Sequence, residues 1–213
     1  MDVDDLLRYV LPDAPACPDV TAKIAVVNAA IEFCRETLAW DEIQEPTPVL
    51  DKIHTFDIDA PTNARALAVR NVWAASRELR PVTMAELMLV MPNWQTAQGS
   101  EPAYYNSAAD WGSIRVYPIP VGADRAKITL RVAYQPKIGA ETLPDFLSDQ
   151  YHEAMVSGAL ARLLMSPGRA WSNPALGQFH RQQFDAAITQ ARIDMFHDRV
   201  PGTVTVQPRR FGF

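Results

Sequence analysis

The spacing of apolar residues changes period twice along this chain, and that double change restricts the folds open to it. From Val20 through Ile24, Val27, Ile31, Cys34 and Leu38, apolar positions fall three and four apart, the mark of one helix face. Between Glu45 and about Ala140 the period shortens to two. From Leu143 onward it becomes helical again. A helix-period pattern does not rest as a strand, nor a strand pattern as a helix. The chain therefore reads as α+β: an α-helical bundle, built from an N-terminal helix and a C-terminal helical hairpin, with an inserted antiparallel β-region and an extended C-terminal tail. The expected divisions are 1–42 for the N-terminal helices, 43–142 for the β-rich insertion, 143–198 for the hairpin and 199–213 for the tail.

Local signals sharpen each part. The opening MDVDDLLRYV predicts a short helix stopped by Pro12, and Asp19 or Thr21 is positioned to cap the next one. The stretches PVLDKIHTFDIDAP, ARALAVRNVWAAS, GSIRVYPIPV and AKITLRVAYQP alternate apolar positions and predict half-buried strands. In the last of them Ile128, Leu130 and Val132 share one face, with Thr129, Arg131 and Ala133 on the other. One helix interrupts this region, where Thr83 and Glu86 stand at capping-box spacing.

After Pro144 and Asp145, one helix is predicted through FLSDQYHEAMVSGALARLLM up to Pro167 and Gly168. Its Ala154, Ser157, Gly158, Ala159 and Ala161 permit close approach of another helix. The last helix starts with Asn173 as cap and Pro174 at its first position, and shows Phe184, Ala187, Ile188, Ala191 and Met195 as its apolar stripe. The short connection makes the two an antiparallel hairpin. Seventeen prolines against nine glycines agree with firm element boundaries and extended connections.

Charge and motif content exclude several classes of function. A net charge of −5 does not suit an obligate nucleic-acid binder, which carries a basic patch. No apolar run reaches the roughly 20 residues that span a bilayer. The acidic start does not resemble a secretory signal, so Cys17 and Cys34 are expected to be reduced thiols, with Cys34 a small buried hydrophobe. The HEAMV run lacks a second zinc ligand, because Val156 stands where a histidine is needed. Ser157 lacks the first glycine of a nucleophile elbow, that place being Met155. No phosphate-cradling glycine loop occurs. No catalytic, cofactor-binding or metal-ligating set is therefore assigned. Trp73 and Trp94 read as core or rim anchors, and the cluster of Tyr104, Tyr105, Trp111 and Tyr117 as packing between sheet and helices.

The run LPDFLSDQYHEAMVSGALARLLMSPGRAWSNPALGQFHRQQFDAAITQAR resembles the C-terminal helical hairpin of head-to-tail adaptor (head-completion or connector) proteins of tailed bacteriophages. Upstream, ELMLVMPNW, EPAYYN and IRVYPIP match that family's short helix, Trp-ended turn and strand ending in Tyr-Pro. The likeness extends from about Val72 to Arg192. It implies a non-enzymatic virion protein of the neck, assembled in the host cytoplasm, that needs no cofactor. It also implies partners: the portal protein, neighbouring adaptor subunits in a usually dodecameric ring, and a tail or nozzle protein. DNA passes through such a ring without specific binding, and an acidic balance is compatible with that passage, since a basic lumen would hold phosphates.

The final residues fit an interface element. Val204 and Val206 are placed to add a strand to a sheet edge, Arg209 and Arg210 to pair with acidic groups, and Phe211 and Phe213 to fill apolar pockets. Two other readings compete: a nucleic-acid-binding module using the aromatic β-region, and an enzyme site around His152, Glu153 and His180.

Overall fold

The structure, a computed structural model, describes residues 1–75, 77–107, 112–122 and 127–197. Its helices and strands follow the order expected, with the sheet region inserted between two helical parts.

The N-terminal part holds α1 (Asp4–Val10), a single 3-10 turn over Leu11–Asp13, and α2 (Asp19–Thr37). Pro12 lies inside that turn, so the chain tightens there before it leaves the helix. Neither Asp19 nor Thr21 caps α2. Pro18 takes the cap position, in extended backbone and with no side-chain hydrogen bond, and Asp19 opens the first turn, where its charge favours the helix dipole.

The buried face of α2 also differs from the expected stripe. Val27, Ile31 and Cys34 are buried, but so are Ala22, Ala25, Val26, Ala29, Ala30 and Phe33, while Val20 and Ile24 face outward. The reason is close packing. The helix turns its alanines toward α5 (His152–Leu164), where a Cβ on Gly158 would lie 2.9 Å from the Ala29 Cβ. Leu38 ends the helix in the left-handed region at φ 55, half-buried.

The C-terminal part holds α4 (Asp145–Asp149), α5 and α6 (Pro174–Phe196), with α3 (Met84–Val90) lying in the sheet region. The single helix expected after Pro144 is two. Gln150 and Tyr151 break it without proline or glycine, and the Tyr151 ring packs 4.7 Å from Phe33 and 6.2 Å from Phe146. The α5–α6 pair forms the antiparallel hairpin. Its turn is closed by the Asn173 N–H donating to the Leu164 carbonyl at 2.9 Å, and the Asn173 side chain accepts from the Leu176 N–H. Gly177 meets the Met165 side chain at the near end, and Gly158 meets Phe184 farther along.

Glu32 of α2 binds α5 and α6 together, accepting from Arg162 and from Arg181, the latter at 2.9 Å. Both guanidiniums lie over the ring of buried Phe184, at 5.8 and 5.6 Å.

The larger sheet has β1 (Asp41–Ile43) beside β11 (Lys127–Pro136), then β4 (Ala64–Ala74), then β5 (Arg77–Glu78), with β2 (Thr47–Pro48) also on β11. β11 pairs antiparallel with β4 along its whole length, with register shifts after Arg131 and Ala133. Its Ile128, Leu130 and Val132 are buried as expected, and its tyrosine, Tyr134, packs 5.9 Å from Trp40.

The second sheet runs β3 (Thr55–Asp57), β9 (Ser113–Tyr117), β8 (Tyr104–Ser107), β6 (Arg80–Pro81), and a two-stranded pair joins β7 (Gln98–Gly99) to β10 (Ile119–Pro120). The ladders are antiparallel except β6–β8 and β7–β10. One apolar core runs continuously from the helices to the face of the larger sheet. A smaller core of Val82, Leu87 and Tyr117 sits under α3. That helix begins with the reciprocal Thr83–Glu86 capping box read from the sequence.

Charge reinforces the larger sheet where β1, β11 and β4 meet. Asp41 accepts from Arg70 at 2.8 Å and Arg131 at 2.7 Å, and its own side chain is only 6% exposed. Removing the carboxylate leaves two guanidiniums facing each other on one sheet. Asp41→Ala is therefore expected to cost about 2–3 kcal/mol, at or just below the roughly 3–5 kcal/mol for a fully buried broken pair, because both arginines keep some solvent. A shift of the urea midpoint measures it.

Candidate docking surfaces

The residues that bear chemistry are spread across the described molecule. His152 stacks edge-on against Tyr9 at 4.5 Å and lies in a shallow depression beside Glu153 and Ala187. His180 lies two turns earlier on α6 than Ala187, about 10 Å along the axis, next to Phe179. The hairpin thus holds His152 and His180 at different levels, and they do not converge with Glu153 on one point. Among the described residues no group of three or more histidine, cysteine or carboxylate side chains is placed to hold a metal ion. No helix among them is long and apolar enough to cross a membrane.

The aromatic cluster of the β-region is committed to packing. Tyr117 is 1% exposed and meets Trp94 edge-on at 5.8 Å, while Tyr105 is buried in the main core. Tyr104 and Trp73 are half-buried. Trp111 lies outside the described residues. A base-stacking platform needs ring faces open to solvent, and the two buried tyrosines offer none.

Both cysteines are free and buried. Burial pushes the Cys34 thiol up to about 12, and burial, then the Asp19 charge, raises Cys17. A thiolate is the reactive species, so folded protein at pH 8 is expected to leave Cys34 unmodified by a maleimide. In denaturant it should label fully, as mass spectrometry would read directly.

Among the exposed apolar side chains of the described fold, those at two places stand out. On α3, consecutive Met88, Leu89 and Val90 point outward, Leu89 at 83% exposure. The capping box and Leu87 fix this helix against its small core, so the patch is held firmly in place. The second place is a groove of about 650 Å³ between the N-terminal half of α2, the start of the chain and the loop at 138–141. Val20, Ile24 and Ile138 line it, with buried Val27 as its floor.

Asp2, Asp4 and Glu141 form an acidic rim against one lysine, Lys23, which Asp4 binds at 2.6 Å. The hydrogen bond to Asp4 holds that ammonium above the usual lysine range. Reading Val20 and Ile24 as core residues hid this groove at the level of sequence. The only prior signal was that α2 carries more alanines than a single apolar face requires.

The predicted interface residues Val204, Val206, Arg209, Arg210, Phe211 and Phe213 lie outside the described residues. The last described turn is that of α6, whose Arg192 pairs with Glu36 and also donates to the Glu36 carbonyl at 2.7 Å. The described chain therefore ends beside the C-terminal end of α2, while the groove lies toward the other end of that helix.

A search of curated protein sequences returned no match. A family model described as SU10 adaptor protein matches residues 1–207, nearly the whole chain. The match covers the N-terminal helices, the inserted sheets and the helical hairpin alike, and the chain belongs to the SU10 adaptor family, the head–tail adaptor proteins of phages.

Proposed function

We propose that this virion adaptor closes into a ring on the capsid portal, extends the DNA channel and offers the tail or nozzle protein its platform. The family match over residues 1–207 carries this reading. The fold is compatible with it: the outward-facing apolar patch of α3 sits on a capped helix fixed to its own small core, as a surface that meets a fixed partner requires. A net charge of −5 favours a lumen along which DNA slides without sticking. In this reading the segment from Val204 to Phe213 is the arm that grips the assembly, with valines for strand addition, arginines for acidic partners and phenylalanines as anchors.

The test is co-sedimentation of the purified chain with purified portal rings. One copy bound per portal subunit supports the reading. Absence of co-migration at micromolar concentration removes it.

A further inference from the structure

A ring needs two different surfaces on each subunit, one that gives and one that receives, because head-to-tail contacts are heterologous. The α2 groove has the character of a receiving surface. Val20 and Ile24 are 68% and 56% exposed, Ile138 is 91% exposed, and no side chain of the described fold covers them. Around this apolar floor, three carboxylates outnumber one lysine that is already bound to Asp4.

The segment after α6 has the opposite composition. It carries no acidic residue after Asp198, and it ends in Pro208, Arg209, Arg210, Phe211, Gly212 and Phe213. Apolar anchors face an apolar floor, and two guanidiniums face an acidic rim.

We propose that the groove seats the Pro208–Phe213 segment of a neighbouring copy of this chain. Phe211 and Phe213 lie on Val20, Ile24 and Ile138, and Arg209 and Arg210 pair with Asp2 and Glu141. Ring closure selects a neighbour over the same chain, since only a contact between copies links them in series. Arg181 reaches Glu32 and Arg192 reaches Glu36, so α6 runs parallel to α2 and ends beside its C-terminal turn. The groove lies roughly 20 Å back along α2. This inference rests on the ring-forming reading above and names the receptor of its arm.

The full chain carrying a photoreactive benzoylphenylalanine in place of Phe213 tests it, with isotopically heavy and light copies mixed in the presence of portal rings. Cross-linked peptides are then mapped by mass spectrometry. The expected products join a heavy chain to a light one at residues 20–27 or 138–141. Ile24→Asp, at an exposed position that leaves thermal melting unchanged, should cut their yield at least about tenfold, the loss of one apolar anchor. Leu89→Asp, away from the groove, should not.

Cross-links to portal alone overturn the groove assignment and leave the adaptor reading standing. Cross-links only within one chain overturn the choice of a neighbour. No cross-link to any protein overturns both the groove and the arm.

Discussion

Phe184→Ala is expected to cost about 3–5 kcal/mol, the range for removing a fully buried aromatic ring without collapse of the site. The ring is 0% exposed and stands where three helices meet. Phe33 of α2 is 6.3 Å away, and Gly158 of α5 is so close that a Cβ there would lie 2.8 Å from the ring. The guanidiniums of Arg162 and Arg181 cover its faces and converge on Glu32.

Truncation opens a cavity that these neighbours cannot fill, because Gly158 and Ala29 offer no side chain to move into it. It also removes the surface that orients both arginines. Against a total of about 5–15 kcal/mol for a domain, the loss is large, and the melting temperature should fall by roughly 10 °C. A denaturant titration that shows less than about 1 kcal/mol would mean that the helices close over the gap and that Phe184 is not their common support.

Deleting Val204 to Phe213 is expected to abolish docking on portal rings while leaving the fold as it is. Among the described residues every helix and strand ends by Phe196, and the core clusters are assembled from Val3 to Met195. Far-ultraviolet circular dichroism and the melting temperature should therefore match those of the full chain. Binding should fall by more than a hundredfold, since the deletion removes two phenylalanine anchors and two arginines together, and each such group at an interface centre is worth more than about 1 kcal/mol. The prediction is the same for a grip on the portal and for a grip on a sister subunit, because the proposed function routes either contact through this segment. Normal docking by the shortened chain refutes it.

Much of the fold was legible in the residues because the period of apolar positions changes where the architecture changes. The two-residue alternation of Ile128, Leu130 and Val132 located the central strand, and Thr83 with Glu86 located α3. Asn173 with Pro174 located the start of the last helix. Gly158 and its small neighbours signalled the close packing of α5.

Two features escaped because their signals depend on the tertiary neighbour. Alanine ranks low in any apolar count, so the face of α2 that packs on α5 was outweighed by the larger Val20 and Ile24. The break at Tyr151 carries no proline or glycine. What marks it is tertiary: the tyrosine ring packs against Phe33 and Phe146. The same misreading of α2 concealed the groove, since an aliphatic residue at helical spacing looks identical whether it is covered or bare.

Function was legible by resemblance and not by chemistry. The hairpin and turn motifs are packing patterns, and the family match supplies what no catalytic residue could. The arm at the C-terminus was read from composition alone, as valines, arginines and phenylalanines without acidic residues.

Particle imaging of the purified chain, alone and mixed with portal rings, tests the account most directly. The expected images show single copies or small oligomers alone, and with portal a closed ring coaxial with it that lengthens the channel. Portal rings that stay bare, or that carry isolated copies off the axis, would contradict it.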